Sequence, residues 1–481
     1  MGSHATMRRL FNAGLWVAML LGPTLNAACA EGPADRPNIV FLYTDDQARW
    51  ALGAYGNKEI HTPNLDRLAQ AGALFENAFT ATPVCSPSRA SMLTSRYPTQ
   101  FGIADWIDPK SEPDLGLAPS AILWPELLKA QGYATALMGK WHLGTRSEFH
   151  PTRQGFDHFF GFLGGGNQPI DPELEVEGTV RRVQGSLPDL LVGEGIRFVE
   201  ANRDRPFLLS IHFRAPHVPY APVPEQDSAH YETLDPTIPD VPGLPRQRVK
   251  TLTRRYYASV SSVDRNVGRL LDRLEALGLT GKTIVIFTSD HGYMIGHHGL
   301  WHKGNGTWLV EGKKEERRPN MFDDSIRVPL IVRWPGVVAP GTKVDRVVSN
   351  LDIFPSVVEM TGSGVPDNLR IGGRSFVPLL RDPKNKAIAW DDTLFGQYDM
   401  HNGQVANMRL IRTPEWKLIR HFEPGVDDEL FHLADDPGET RNLTDNPAHR
   451  DRKAELAAQL QQWMISIGDP QAKGEKRVHP G

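Results

Sequence analysis

The stretch at residues 37–46 reads PNIVFLYTDD. Its middle is a continuous apolar run, without the alternation of apolar and polar side chains that marks a strand with one face in water. Such a run predicts a parallel strand that is buried on both faces of a sheet. Asp45 and Asp46 follow the run directly, so we expect their carboxylates at the carboxyl edge of that sheet, where α/β proteins bind ligands.

Four further apolar runs have the length of strands, and helical patterns separate them. The runs cover residues 134–138, 206–213, 283–289 and 328–334, and the longest helical pattern covers residues 254–277. This alternation predicts an α/β fold with a large mixed, mostly parallel sheet sandwiched by helices. Polar residues closely follow three of these strands, so the same edge of the sheet is expected to collect them.

The pattern changes after about residue 375, where shorter strand-like pieces and a closing helix follow. The pieces lie at residues 413–421 and 429–433, and the helix at residues 447–467. A chain of 481 residues exceeds what one hydrophobic core usually organises. We therefore predict a main domain at residues 31–375 and a smaller α+β subdomain with a short antiparallel sheet at residues 376–481.

The composition is that of an ordinary globular protein, with 40% apolar and 23% charged residues. A formal net charge of −4 argues against a general nucleic-acid surface. The same charge means that an anionic ligand has to be captured by local cations, because the overall field gives no help.

The first 30 residues predict an export signal. A basic start at residues 7–9 precedes an apolar run at 15–21 and an Ala-x-Ala cleavage motif at 28–30. Residues 1–6 have the character of a cloning remnant. The apolar run is too short to span a bilayer, and no later stretch is long enough, so we expect a periplasmic or secreted protein. Lipid attachment at Cys29 is the weaker alternative.

Cysteine usage singles out Cys85. Cleavage after Ala30 would leave it as the only cysteine of an exported protein, which excludes an internal disulfide. A free thiol in an oxidising compartment is a liability unless it is buried or converted. Pro87 suits the first turn of a helix, so Cys85 is expected at a helix N-terminus, which favours an anion. Arg89 lies one turn along.

Residues 85–96 read CSPSRASMLTSR, which resembles the signature of formylglycine-dependent sulfatases, the type I family of the alkaline phosphatase superfamily. In that family a formylglycine-generating enzyme oxidises the cysteine of Cys-x-Pro-x-Arg, matched here by Cys85, Pro87 and Arg89. Ser95 departs from the pattern, which usually has glycine after the threonine. Residues 429–443 resemble the C-terminal sulfatase pattern, so the resemblance makes residues 31–375 the catalytic domain and covers nearly the whole mature chain.

The resemblance also implies a metal site. Asp45, Asp46 and Asp290 supply hard oxygen ligands, and three carboxylates at one place repel unless a cation lies among them. In the sulfatases the matching residues hold Ca²⁺ together with the formylglycine, here position 85, and with the residue after the third aspartate, here His291. An imidazole nitrogen is softer than Ca²⁺ prefers, which leaves Mg²⁺ or Mn²⁺ open.

Three further blocks resemble sulfatase motifs. Residues 139–144 would supply Lys140 as a sulfate contact and His142 as the base at the formylglycine hydroxyl. His217 would be the proton donor to the leaving alcohol, with His212 as a competitor that reads better as a core histidine. The block that contains His217 covers residues 215–219, and residues 299–304 would supply Lys303, the second lysine that binds sulfate.

These roles imply hydrolysis of a sulfate ester. A hydroxyl of hydrated formylglycine attacks sulfur while Arg89, the lysines and the cation stabilise the negative charge. His217 protonates the alcohol, and His142 then removes the proton of the second hydroxyl to expel sulfate. The alternatives are a phosphodiesterase or phosphonate monoester hydrolase of the same superfamily, and an inactive sugar-binding homologue.

An exported sulfatase suggests a sulfated carbohydrate as substrate. Polar and aromatic residues near the motifs could bind sugar hydroxyls or acids. The candidates are Asp105, Trp106, Arg214, His298, Trp308 and His401. The nearby histidines at 297, 298 and 302 have no standard zinc spacing and no accompanying cysteine, so a zinc site is not expected.

Overall fold

The computed structural model describes residues 1–2, 36–313, 316–385 and 387–474. The predicted export signal and Cys29 therefore lie outside the described residues. Within the described ranges, no helix combines the length and apolar character that crossing a bilayer requires. The strands there form three sheets, one of eleven strands and two of four strands each.

The secondary-structure elements are numbered in chain order. The strands are β1 (Asn38–Asp45), β2 (Ala73–Phe79), β3 (Ala134–Lys140), β4 (His158–Phe162), β5 (Glu173–Val176), β6 (Thr179–Arg182), β7 (Phe207–Pro216), β8 (Thr283–Ser289), β9 (Met294–Ile295), β10 (Leu300–His302), β11 (Asn305–Trp308), β12 (Arg317–Pro319), β13 (Arg327–Val328), β14 (Leu330–Arg333), β15 (Thr342–Ser349), β16 (Leu394–Met400), β17 (Ala406–Arg412), β18 (Trp416–His421) and β19 (Glu429–His432). The α-helices are α1 (Pro63–Gln70), α2 (Cys85–Thr94), α3 (Pro98–Phe101), α4 (Trp124–Ala130), α5 (Leu187–Asn202), α6 (Glu225–Ser228), α7 (Arg246–Ala276), α8 (Asp323–Ile326), α9 (Ile353–Met360), α10 (Val377–Arg381) and α11 (Arg450–Ile467).

The large sheet has the strand order β13-β2-β14-β8-β1-β7-β3-β4-β5-β6, and β15 also pairs with β2. The central strands β8, β1, β7, β3 and β4 run parallel to their neighbours in this series, whereas β14 runs antiparallel to β8 and β2. The predicted strand at 328–334 is divided into β13 and β14 at Pro329, which has no N–H for a ladder hydrogen bond. The predicted mixed, mostly parallel sheet is confirmed.

The apolar sequence of β1 follows from its burial on both faces of the sheet. Ile39, Phe41 and Tyr43 belong to a core that also contains side chains of α2, α4, α9 and α10. Val40 and Leu42 point to the opposite core, which contains side chains of α1, α5 and α7. All five side chains are fully buried, since helices cover both faces of the sheet.

The parallel arrangement brings four strand ends to one edge. Strand β1 ends at Asp45, whose register partner on β7 is Pro216. On the other side of β1, Thr44 pairs with Ser289 at the end of β8. Strand β3 ends at Lys140, beside β7. The polar residues that follow these strands therefore meet at one place.

The predicted C-terminal antiparallel sheet is confirmed as β16–β19. Helix α11 packs against one face of this sheet, with Leu456, Leu460 and Met464 in a shared core. The other face shares a core with the small sheet β9–β12. The domain boundary at residue 375 stays a prediction.

Candidate active site

Cys85 is the first residue of α2, and it is buried. Its Sγ lies 3.1 Å from Lys303 Nζ and 3.5 Å from both Asp45 Oδ1 and His291 Nε2. Burial and the Asp45 carboxylate raise the pKa of the thiol, but Lys140, Lys303 and the His291 hydrogen bond outweigh them and lower it to about 6. The surroundings therefore favour a negatively charged group at position 85.

Three fully buried carboxylates beside Cys85 each pair with a buried cation. The pairs are Asp45 Oδ2 with Lys140 Nζ at 2.6 Å, Asp46 Oδ1 with Lys303 Nζ at 2.6 Å and Asp290 Oδ2 with Arg89 Nη2 at 2.9 Å. Among the described residues, Asp46 Oδ2 has no hydrogen-bond partner. Burial raises the pKa of Asp46 to about 7. An additional cation beside this oxygen would relieve the cost of burying it unpaired.

His291 presents its Nε2 to this cluster, within hydrogen-bond distance of Cys85 Sγ. Its Nδ1–H donates to the Gly292 carbonyl at 2.9 Å, so Nε2 is the nitrogen that can serve as a metal ligand. Nε2 lies 3.3 Å from Asp290 Oδ1 and 3.5 Å from Asp46 Oδ1. Ligand atoms of Asp45, Cys85, Asp290 and His291 all lie within 4.8 Å of one another. The donor set thus fits a divalent cation.

His142 has a distinctive backbone and an unpaired ring nitrogen. It follows β3 with φ of +60°, and its Nε2–H donates to the Ile107 carbonyl at 3.0 Å. Nδ1 has no hydrogen-bond partner among the described residues. Burial, followed by the charge of Lys140, lowers the pKa of His142, so the ring is neutral with a lone pair on Nδ1. This nitrogen can accept a proton.

His217 lies just after β7. Its Nδ1–H donates to the Val218 carbonyl at 2.7 Å, and Nε2 lies 3.9 Å from Asp46 Oδ2. Burial lowers the pKa of His217. The competitor His212 bonds instead to Ser210 Oγ and to the Lys140 carbonyl inside the sheet. Its surroundings are those of the expected core histidine.

An open cavity of about 600 Å³ gives access to this cluster. Cys85, Lys140, His142, His217 and Lys303 all line it. The structure therefore brings the nucleophile position, both predicted sulfate-binding lysines and both predicted proton-transfer histidines to one cavity. The metal-site aspartates lie behind Cys85 and are fully buried.

Unlike the predicted catalytic residues, most of the six predicted sugar contacts do not line the cavity. Trp106 lines the cavity, and the other five do not. Arg214 is 2% exposed and donates to the carbonyls of Val218 and Pro219, so it supports the His217 loop from inside. Its role as a substrate contact is not supported by this position.

The other four serve packing or pairing. Asp105 is fully buried and accepts hydrogen bonds from the backbone N–H groups of His401 and Asn402, so its carboxylate is occupied by protein. His298 stacks on Phe322 with 3.9 Å between ring centroids. His401 Nε2 lies 2.9 Å from a carboxylate oxygen of Glu112. The ammonium group of Lys313 lies over the ring of Trp308, 3.8 Å from its centroid.

The small sheet adds cavity residues that the sequence did not reveal. His302, Asn305, Thr307 and Arg317 line the cavity from β10, β11 and β12. Asn305, Thr307 and Arg317 belong to no recognisable motif, whereas His302 precedes Lys303 in the block at residues 299–304, and the common direction of all four depends on how these short strands pair. No sequence signal separates Arg317 from its neighbour Arg318.

Ser95 ends α2 in the left-handed conformation, with φ of +53°. Glycine adopts this conformation freely, which explains why glycine suits the position. Here the Ser95 hydroxyl donates to the Leu351 carbonyl at 2.8 Å and accepts the Gly373 N–H at 2.9 Å. The serine is thus held in place, at the end of α2 opposite Cys85.

Comparison with known proteins agrees with this site. A family model described as Sulfatase matches residues 37–363, and one described as N-sulphoglucosamine sulphohydrolase, C-terminal, matches residues 316–466. N-acetylgalactosamine-6-sulfatase of Rattus norvegicus is 31% identical, with 94% of this chain and 91% of that protein covered. The ulvan-active sulfatase of Formosa agariphila is 30% identical, with 90% and 82% covered.

A solved structure shares the fold. It shows a protein in complex with its substrate D-glucosamine-2-N,6-O-disulfate, and the TM-score is 0.79 at 24% identity, with 92% of this chain and all of that chain covered. The Sulfatase model alone matches well over half of the chain. With Cys85, its charged neighbours and the strand ends in the arrangement described, the protein belongs to the sulfatase family, type I sulfatases of the alkaline phosphatase superfamily.

Proposed function

We propose that the protein hydrolyses sulfate esters of carbohydrates, and that its nucleophile is a formylglycine made from Cys85 by a formylglycine-generating enzyme. The observation that carries this proposal is the position of Cys85 at the start of α2, with its Sγ 3.1 Å from Lys303 Nζ. Two relatives are named for a carbohydrate, ulvan and N-acetylgalactosamine, which supports a sulfated saccharide as substrate.

Asp45, Asp46, Asp290 and His291 would hold the metal ion. Ca²⁺ is the first candidate because three of these four side chains are hard carboxylates, and Mg²⁺ or Mn²⁺ are the alternatives because of the imidazole. A bound cation supplies Lewis-acid stabilisation of negative charge, and formylglycine supplies a geminal diol as the source of an oxygen nucleophile.

Lys140 and Lys303 would hold the sulfate group. Both lysines line the cavity, and each ammonium group is held by an aspartate at 2.6 Å. Fixed cations stabilise the charge that spreads over the sulfate oxygens in the transition state without reorganising. Arg89 is 1% exposed and binds Asp290, so we assign it to holding that carboxylate in place.

His217 would donate the proton to the leaving alcohol through Nε2, since its Nδ1–H is held by Val218. Burial lowers its pKa in the free protein, but a sulfate ester bound beside it adds negative charge and raises that pKa again. Bound substrate therefore favours the protonated form of His217. His142 would accept a proton at Nδ1 when sulfate is expelled.

We also propose that the protein acts outside the cytoplasm. The export signal predicted at residues 7–30 supports this location. So does the cysteine content, because a single thiol that is converted to an aldehyde avoids unwanted disulfides in an oxidising compartment.

The test compares the wild type with Cys85→Ala and Cys85→Ser, each produced alongside a formylglycine-generating enzyme. We expect the wild type to release sulfate from an aryl sulfate, and both variants to lose about 10³-fold or more of kcat/KM. Equal sulfate release by all three would show that Cys85 is not the nucleophile and contradict the proposal, and no release by any of the three would favour a binding protein. A higher kcat/KM on the matched aryl phosphodiester or phosphonate monoester would assign the site to phosphorus chemistry instead.

A further inference from the structure

One wall of the active-site cavity is formed by the small sheet. Strands β11 and β12 are antiparallel, and Thr307 lies directly opposite Arg317 in their register. Residues that face each other in such a pair have their side chains on the same face of the sheet, and so does Asn305, two residues before Thr307. All three line the cavity.

Arg317 differs from the other cations of the cavity in its pairing. Lys140 and Lys303 each contact an aspartate at 2.6 Å. Within the described residues, the Arg317 side chain makes no hydrogen bond or ion pair. The adjacent Arg318 points elsewhere and binds Glu429 at 2.8 Å and the Pro319 carbonyl at 2.7 Å.

The lining of the cavity leaves the Arg317 charge uncompensated. No carboxylate is among its described lining residues. A half-buried guanidinium beside two polar side chains is a suitable partner for an anionic ligand, because its fork of N–H groups matches a carboxylate or a sulfate. The lysines are needed at the scissile sulfate, so Arg317 is available for a second group.

A neighbouring cleft of about 1020 Å³ is lined by acidic side chains, in contrast to the active-site cavity. It meets the cavity at Gly166 and Val218, and Asp171, Glu173 and Glu175 line it. Its arginine, Arg182, lies 3.6 Å from Asp171. Like charges repel, so an anionic part of a saccharide is directed away from this cleft and toward the small sheet.

We propose that Arg317, with Asn305 and Thr307, binds a second anionic group of the substrate, either a carboxylate or a second sulfate. The preferred substrate is then a saccharide that carries two negative groups, the scissile sulfate at the lysines and another at the small sheet. This inference rests on the proposed function and specifies its substrate class.

The test measures binding without turnover. Titration calorimetry on Cys85→Ala, alone and combined with Arg317→Gln, uses three probes: a 6-sulfated N-acetylhexosamine, the same sugar with a second sulfate, and the same sugar linked to a uronic acid. We expect Arg317→Gln to weaken a doubly anionic probe about 10- to 100-fold more than the singly anionic one. Loss confined to the second or third probe identifies the group as sulfate or carboxylate.

Arg255 provides the matched control. It is exposed on α7 and does not line the cavity, so Arg255→Gln removes the same charge outside the cavity and should leave the ratio of affinities unchanged. Cys85→Ser replaces Cys85→Ala if the alanine variant does not fold. An equal loss for all three probes, or no loss, would overturn the proposal. Aryl sulfate hydrolysis by the wild type tests the sulfatase function separately.

Discussion

At the scale of single residues, the guanidinium of Arg214 has a supporting position that its sequence context does not show. It binds the carbonyls of Val218 and Pro219, and the Val218 carbonyl also accepts the Nδ1–H of His217. Burial lowers the pKa of Arg214 to about 10, so the group is charged at neutral pH. We infer that Arg214 positions His217 for proton donation.

Replacing Arg214 with lysine should lower kcat with a smaller effect on KM. Lysine keeps the charge but cannot hold two carbonyls in a fixed fork, and a small displacement of a catalytic group costs about 10- to 100-fold in rate. Steady-state kinetics on an aryl sulfate measure the effect. The alkaline limb of the kcat profile, where protonated His217 is lost, should also move. An unchanged kcat and profile, as expected for the control Arg255→Lys, would contradict this role.

At the scale of elements, buried ion pairs join the C-terminal sheet to the catalytic domain. Lys417 of β18 lies 2.9 Å from Asp323 of α8 and 2.5 Å from Glu439. Arg412 of β17 lies 2.8 Å from Asp323. Burial opposes ionisation of Asp323, but Lys417 and Arg412 outweigh it and lower the pKa of this carboxyl.

Lys417→Met should destabilise the protein by about 3–5 kcal/mol at neutral pH, because it leaves Glu439 without its cation and Asp323 with Arg412 alone. The lowered pKa of Asp323 means that this pair stabilises the fold above the ordinary pKa of an aspartate, near 4, and ceases to do so as pH falls through the lowered value. The stability difference from the wild type should therefore shrink below about pH 4.

Urea unfolding at several pH values measures this difference. Lys58 is exposed, so Lys58→Met serves as the control and should change stability by no more than about 0.5 kcal/mol. A loss that is the same at all pH values would show that the ion pair with Asp323 is not its cause.

The strands that carry the site could be predicted from the sequence, whereas strands β16 and β17 could not, because they contain buried charged residues. Strands β1 and β8 are uninterrupted apolar runs because helices cover both faces. Strands β16 and β17 contain Asp399 and Arg409, which pair with each other inside the protein, and Arg409 also binds Asp469. Charged residues in such a strand remove the hydrophobic pattern on which prediction depends.

The residues of the site were likewise predictable only in part. Asp45, Lys140 and His217 could be placed because each lies at or just after the end of a predicted parallel strand. Arg317 could not, since its neighbour has the same side chain and the pairing of β12 with β11 decides which one faces the cavity. Register between short strands depends on tertiary packing, which local sequence does not encode.

At the scale of the whole molecule, the site lies where the central sheet, α2 and the small sheet meet. Removing the metal should therefore affect both activity and stability. Dialysis against a chelator leaves Asp45, Asp46 and Asp290 without a shared cation, and a ligand at 100 times its Kd contributes about 2.7 kcal/mol to stability. We expect a lower Tm and a loss of aryl sulfate hydrolysis, both restored by Ca²⁺.

Comparing Ca²⁺, Mg²⁺ and Mn²⁺ in the restoration identifies the preferred ion. Restoration by Mg²⁺ or Mn²⁺ in preference to Ca²⁺ would indicate that His291 is a ligand that selects a softer or smaller cation. A chelated protein with unchanged Tm and full activity would contradict a metal site at these carboxylates.

The central claim concerns position 85, and the mass of the tryptic peptide that ends at Arg89 tests it most directly. The protein is produced alongside a formylglycine-generating enzyme, with a known sulfatase as a positive control. We expect a peptide that is lighter by the exchange of a thiol for an aldehyde. An unmodified thiol at Cys85, under conditions that convert the control, would contradict the formylglycine mechanism.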